Sequence, residues 1–322
     1  MYTGVFEGAE AWTEATFDPA HWRVTLPAEC RAEIGAALAQ YRNNPLPTVL
    51  LDPADFALPA CVALMRRVRR QLEDGSRFAL LDRLPVEDMT PEEAKAIYWL
   101  LCSLLARPVA QKLIDGTMIY DVLDTGVVAT AGSGIRPDKT NIEIVPHNDN
   151  SYNPTPPNFV GLLCLRAARS GGLSRVISFH ALHNRLRARS QNALARLYEP
   201  FWFDRQREHL PDEPPIHAAP VFAYEQGRLL TRLALFQMKN GTVLRGEPLD
   251  EAGRVAVAAV EAALAEPDLC ASFTMVPGQI QLLNNLAVGH SRTAFVDHDA
   301  PEQRRHVVRI WMRDHGHRGY RG

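Results

Sequence analysis

Through the first third of the chain, apolar residues recur at three- and four-residue spacing, as in CRAEIGAALAQYR and VALMRRVRRQLEDG. That period sets them on one face of successive helices, and Ala, Leu, Arg and Glu dominate from Ala28 to about Ala106. Thr90-Pro91-Glu92-Glu93 predicts a helix start, with a capping hydroxyl, Pro at the first helical position and Glu in the first turn. Beyond Gln111 the texture changes to short runs rich in Val, Ile, Phe and Tyr, divided by Gly, Pro, Asn and Asp: MIYDVL, NFVGLLCL, SRVISF, PVFAYEQGRLLTRLALF, SFTMVPGQIQLLNN and HVVRIWM. These read as strands, so a β-rich core begins near residue 115. Helical periodicity returns twice, from Phe179 to Tyr198 (Leu182, Leu186, Leu194) and from Asp250 to Ala265.

The expected class is therefore α+β. A single domain over residues 1–322 is expected, divided into a mainly helical flank (1–110), a β core (111–313) and a loose tail (314–322). Two stretches read as loops: Asp124 to Lys139, with its Gly-Ser-Gly, and Asp204 to Pro220, with four prolines. No internal repeat or low-complexity run is present.

Bulk properties narrow the ligand rather than the fold. The formal charge of −2 comes from interspersed residues, so no basic block or acidic tail suggests a nucleic-acid or membrane partner. A small molecule is the default, with room left for a homo-oligomer. The first residues lack a cationic segment followed by an apolar one, the longest apolar stretch (Ala96 to Ala106) is too short for a bilayer span, and a cytoplasmic location is expected. Five widely spaced cysteines without a C-x-x-C pair fit a reducing compartment and buried packing, and none is given chemistry.

Candidate chemistry sits in VPHNDNSY. His147 and Asp149 are two apart, so on an extended strand both would project from one face. H-x-D arises often by chance, and a third ligand is needed before it means anything. His290, in NNLAVGHSRTAF, follows an apolar strand-like segment and supplies one. Two histidines and a carboxylate occupy one face of an octahedral metal and leave three positions open, an arrangement suited to Fe(II) oxygenases. The run then closes on a strand where Arg305, Val307 and Arg309 share a face, and His306, Val308 and Ile310 share the other. Two cations on the inner face of an apolar strand are costly unless anions meet them.

These residues resemble the taurine dioxygenase-like group of Fe(II)/2-oxoglutarate-dependent enzymes, a group that includes relatives of clavaminate synthase and amino-acid oxygenases. The shared order is H-x-D/E, a Gly-Gly-x-Ser/Thr segment, then a distal His followed about fifteen residues on by Arg; it spans roughly Gly116 to Arg313. The resemblance implies a double-stranded β-helix (jelly-roll) with flanking helices, and metal ligation by His147, Asp149 and His290. It also implies that Arg305 and Ser174 hold the distal carboxylate of 2-oxoglutarate, for which a guanidinium offers a bidentate match. Arg309 would take an anionic group of the substrate. Glu143, with Asn141, Asn150 and Tyr152, flanks the ligand segment within reach of substrate, although turn and strand duties explain these residues equally. O2 would be activated with release of succinate and carbon dioxide, and the usual outcome is hydroxylation of a C–H bond in a small polar molecule, such as an amino acid of secondary metabolism, free or carrier-bound.

Some features depart from the pattern. Ser174 stands where several members have Thr, and Gln279 where an acidic residue is common; Asp149 disfavours halogenation, because halogenating relatives carry a small residue there. Desaturation, epoxidation and cyclisation use the same cofactors and stay open. Two other classes compete: a zinc hydrolase, which needs no clamp such as Arg305, and a non-catalytic jelly-roll binding protein, which would not retain the triad. His180 and His183 form H-x-x-H on an expected helix without a carboxylate partner, and His315 with His317 falls in the tail; neither pair is read as a metal site.

Overall fold

A computed structural model describes residues 1–127 and 137–321. In chain order the strands are β1 (Arg23–Thr25), β2 (Phe78–Asp82), β3 (Arg107–Val109), β4 (Ile119–Val122), β5 (Ile144–His147), β6 (Phe159–Arg166), β7 (Ser170–Gly171), β8 (Ser174–Ser178), β9 (Pro200–Asp204), β10 (Ile216–Pro220), β11 (Phe222–Glu225), β12 (Arg228–Thr231), β13 (Cys270–Phe273), β14 (Ile280–Asn284), β15 (Val288–Arg292), β16 (Phe295–Val296) and β17 (His306–Arg313). The helices are α1 (Pro19–Trp22), α2 (Ala28–Asn43), α3 (Pro59–Asp74), α4 (Pro91–Leu105), α5 (Phe179–Arg189), α6 (Gln191–Leu197), α7 (Leu235–Arg245) and α8 (Glu251–Leu264). The α+β expectation holds.

Seven strands form the larger sheet, in the order β1-β2-β14-β6-β17-β3, with β4 also on β17; β1 and β2 pair in parallel and the rest antiparallel. A second sheet runs β13-β8-β15-β5, antiparallel throughout. Alternation along β17 decides what each face meets. Val308, Ile310 and Met312 join the core built with α2, α3 and α4. Trp311, on the opposite face, packs in a cluster that draws Phe78, Val160 and Leu283 from the larger sheet and Val176, Ala271 and Val288 from the smaller. The helices thus cover one side of the larger sheet and the smaller sheet lies over the other. A third cluster packs α5, α6 and α8 on Phe201, Phe203 and Phe222. Each such fully buried side chain contributes about 1.5–3 kcal/mol.

The start of α4 follows the expected pairing: Glu93 N donates to Thr90 Oγ1 at 3.3 Å and Thr90 N to Glu93 Oε2 at 2.8 Å. Four cysteines are buried, Cys270 is half-buried, and all five are free thiols. Several expectations need correction. Phe78–Asp82, inside the stretch read as helical, is a strand of the larger sheet, paired on both edges. The supposed loop from Asp204 to Pro220 is mostly a hairpin, with β10 paired along β9. The long strand-like run ending at Phe236 breaks at Gln226 and Gly227, both at positive φ, into the β11–β12 hairpin, and its last two residues begin α7. Most of the loop expected from Asp124 to Lys139 lies outside the described residues, but its base is closed where Thr125 N donates to Lys139 O.

The tail is not loose. Tyr320 is buried, its hydroxyl donates to Asn150 Oδ1 (2.6 Å) and accepts from Asn153 Nδ2 (2.7 Å), and Arg313 Nη2 donates to its carbonyl. His315 and His317 are exposed. His180 and His183 are buried structural residues: burial pushes each down to about 4, and His183 Nε2 meets the Tyr198 hydroxyl at 2.9 Å. Gln279 serves a turn, its Oε1 accepting from Val276 N.

Candidate metal centre and co-substrate cavity

The smaller sheet brings the first two histidines together. His290 on β15 is directly opposite His147, the last residue of β5, and the ring centroids are 4.6 Å apart. Asp149 is not on that strand, contrary to the same-face argument. It follows in a turn where Asn148 N donates to Leu233 O and Asn150 adopts φ 53°, and this turn, not strand alternation, aims the carboxylate. Asn285 clamps it, accepting from Asp149 N at 2.8 Å and donating to Asp149 O at 2.9 Å. Asn148, fully buried, donates to Thr231 O and Asn285 O and accepts from Leu233 N.

The ligand atoms of His147, Asp149 and His290 lie within 4.8 Å of one another. Asp149 Oδ1 is 3.6 Å from His147 Nε2 and 3.9 Å from His290 Nε2. His147 Nδ1 is fixed by Val145 O at 3.0 Å, which leaves Nε2 for a metal. Burial disfavours the charged form of Asp149, but Arg309, His147 and His290 outweigh it and hold the carboxyl well below its usual range. Burial, with help from His147, pushes His290 down to about 3. The set therefore presents an anionic oxygen and a neutral imidazole at neutral pH, the forms in which both bind metal.

From β17 two side chains reach Asp149. Trp311 Nε1 donates to Oδ2 at 2.7 Å and Arg309 Nη1 to Oδ1 at 3.4 Å. Arg309 also donates from Nε to Gln111 Oε1 and pairs with Asp138 at 3.2 Å. Trp311, Asn148 and Asn285 were not singled out from sequence. The period-two relation of Trp311 to Arg309 was a usable signal; the contact between the turn and Asn285, which spans 136 residues, left none.

One cavity, of about 60 Å³, is lined by His147, His290, Ser174, Arg305 and Arg309, so the structure brings the expected metal and co-substrate residues together. Among the described residues the Arg305 guanidinium has no carboxylate within ion-pair distance; its backbone N–H donates to Asp297. Arg292, also unanticipated, lines the same cavity, and burial and then Arg305 push it down to about 10, which leaves it charged at neutral pH. A second cavity, of about 220 Å³, shares His147, Asp138 and Arg309 with the first and is also lined by Asp149, Trp311, Tyr152, Leu235 and Phe236. Glu143 lies at its rim, exposed and paired with Arg175 at 2.9 Å, rather than aimed at the metal ligands.

Residues 42–311 match the model of the family described as "Taurine catabolism dioxygenase TauD, TfdA family". The chain belongs to that family. It is a 2-oxoglutarate-dependent dioxygenase of the Fe(II) class, which sets aside the zinc hydrolase and the non-catalytic binding protein. Among TauD/TfdA relatives, the FR-33289 synthase of Streptomyces rubellomurinus (strain ATCC 31215) is 28% identical over 309 residues, covering 95% of this chain and 89% of the relative. The fold is shared with asparagine oxygenase, solved with Fe(II), 2S,3S-3-hydroxyasparagine and succinate (TM-score 0.65, 20% identity, 91% of this chain and 94% of that one). It is shared too with the non-heme iron oxygenase OrfP, solved with Fe and alpha-ketoglutaric acid (TM-score 0.64, 15% identity, 91% and 94%). Among the described residues no helix is long and apolar enough to cross a membrane.

Proposed function

We propose that this TauD/TfdA enzyme hydroxylates a C–H bond of a small, amino-acid-type substrate, with His147, Asp149 and His290 as the iron ligands. The observation that carries the reading is their convergence beside the half-buried Arg305, whose guanidinium lines the same cavity and, among the described residues, has no carboxylate within ion-pair distance. A charge drawn partly out of water without an ion-pair partner is costly, and a dicarboxylate co-substrate is an anion that would relieve it. Ser174, across the same cavity, would hold that carboxylate with Arg305. When bound, Fe(II) and 2-oxoglutarate supply the O2 chemistry; the protein's part is to orient the ligands, exclude water and place the substrate. The jelly-roll reading is supported by the two facing sheets and by the structural relatives, and the treatment of the chain as one catalytic unit by the β1, β2 and β3 strands that residues 1–110 lend to the larger sheet.

For the substrate, the 220 Å³ cavity is the candidate, with Arg309 and Asp138 offering one charge of each sign and Leu235 and Phe236 an apolar wall. An amino-acid-type molecule matches that lining. Arg309 would take its acidic group by exchanging the Asp138 contact, while Glu143 would act at the rim. Arg309 also pins the metal ligand Asp149, so its role is double.

Anaerobic addition of Fe(II) and 2-oxoglutarate tests the reading through the visible metal-to-ligand charge-transfer band. The band is expected in the native protein and absent in His147→Ala. Succinate release across a panel of free amino acids then tests the substrate class; a band with no stimulation by any of them would refute the amino-acid assignment and leave the cofactor assignment standing.

A further inference from the structure

The Phe295 ring is shared by two guanidiniums. Arg292 Cζ lies 4.4 Å and Arg305 Cζ 5.3 Å from its centroid. Both arginines line the 60 Å³ cavity with Ser174, Ser291 and His290, and Arg292 is opposite Ser174 in the strand register, two residues past His290 on β15. Only 7% of Arg292 is exposed. Its Nη2 donates to Thr140 O (3.0 Å) and Ile142 O (2.6 Å), and its buried Nε has no hydrogen-bond partner among the described residues. Backbone carbonyls orient the group without neutralising it, and among the described residues no carboxylate is within ion-pair distance of it. Asp138 also lines this cavity, but it pairs with Arg309 at 3.2 Å; the two like charges held against one ring repel each other, and an anion that joined them would relieve that repulsion.

We infer that Arg292 is a second cationic contact for the distal carboxylate of 2-oxoglutarate, acting with Arg305 and Ser174. This rests on the co-substrate reading above. The carboxylate would lie between two guanidiniums, and that of Arg292, whose Nη2 donates to the carbonyls of Thr140 and Ile142, would link co-substrate binding to the segment that leads into β5 and His147. The pair would also impose selectivity. A 2-oxo acid with a neutral tail, such as 2-oxopentanoate, offers the metal the same chelating end but leaves both cations unpaired.

The experiment is anaerobic titration of the Fe(II)-loaded protein with 2-oxoglutarate and with 2-oxopentanoate, followed by the charge-transfer band, for the native protein, Arg292→Met, Arg292→Lys and Arg305→Met. Losing hydrogen bonds to a charged group predicts that Arg292→Met raises the Kd for 2-oxoglutarate about 10–100-fold. The Kd for 2-oxopentanoate should change less than about threefold, with Arg292→Lys intermediate. A distorted site would weaken both ligands together, and that result overturns the proposal, as does an unchanged 2-oxoglutarate Kd in Arg292→Met beside a large loss in Arg305→Met. Should Arg292→Met fail to fold, the ratio of the two Kd values in Arg292→Lys decides: a fall supports the inference and an unchanged ratio overturns it. Native protein that shows no band with either ligand would overturn the underlying reading instead.

Discussion

Trp311→Phe isolates one hydrogen bond at the metal centre. In the native protein the indole N–H is 2.7 Å from Asp149 Oδ2, the ring is 1% exposed, and Arg309 donates to the opposite oxygen at 3.4 Å. The phenyl ring keeps most of the packing and removes the donor. A hydrogen bond to a buried charge contributes about 1.5–3 kcal/mol, and loss of a partner that orients a metal ligand weakens metal binding about 10–100-fold. The two estimates agree, since tenfold is about 1.4 kcal/mol. The assay is titration of the metal-free protein with Mn(II) or Fe(II), alongside urea denaturation. Phe159→Leu serves as the packing control: Phe159 is fully buried on the helix side of the larger sheet and touches no metal ligand. It should lose stability with metal affinity intact. If Trp311→Phe behaves like that control, with affinity within about twofold of native, Trp311 does not position Asp149.

Three further outcomes follow from the same geometry. Arg309→Met removes a buried cation from Asp149, and breaking a buried pair costs about 3–5 kcal/mol; the metal-free melting temperature should drop and the rise on adding metal should grow, whereas equal shifts with and without metal would contradict this. Gly171 and Gly172 both adopt positive φ, yet a Cβ at Gly171 would approach Ala294 O to 2.3 Å while one at Gly172 meets nothing closer than 3.4 Å. Gly172→Ala should therefore cost about 1–2 kcal/mol and Gly171→Ala clearly more, in urea unfolding. Finally, His180 and His183 are neutral in the folded state down to about 4 but take up protons near 6.5 when unfolded. Stability should be full above pH 6.5 and fall as pH drops toward 4, by at most about 1.4 kcal/mol per pH unit for each histidine; His183→Gln should flatten that slope, and an unaltered slope would count against it.

The proposed iron ligands were legible because short-range order carries them: a two-residue spacing, and a His followed at a fixed distance by Arg. The faces of β17 were legible for the same reason, since period two assigns Val307 and Arg309 to the cavity and Val308 and Ile310 to the helix-side core; Arg305 reaches the cavity too, but from just before the strand. What escaped lacks a period. Phe78–Asp82 is buried on both faces, so it reads as a plain apolar run that a surrounding helical texture absorbs. Leu235 and Phe236 carry the same apolar signal in α7 as they would in a strand. Asp149 does lie beside the two histidines, but not by strand alternation, because the turn that carries it depends on Asn285 and Leu233, far away in sequence. Tyr320 closes DHGHRGYRG, a segment whose composition reads as solvated, and only its contacts with Asn150 and Asn153 show otherwise.

β17 has one consequence for how the protein fails. Its inner face carries Arg309 and the indole of Trp311, and its outer face carries Val308, Ile310 and Met312 against the helices. Slippage by a single residue during sheet assembly would exchange the two sets, pressing the Arg309 guanidinium into the helix-side core and stranding aliphatic side chains among the metal ligands. Such a chain has no well-packed alternative and is a substrate for aggregation or proteolysis. Assembly of the catalytic centre and solubility are thereby checked by the same strand, so a preparation should divide into competent enzyme and precipitate, with the soluble fraction showing constant specific activity as yield varies.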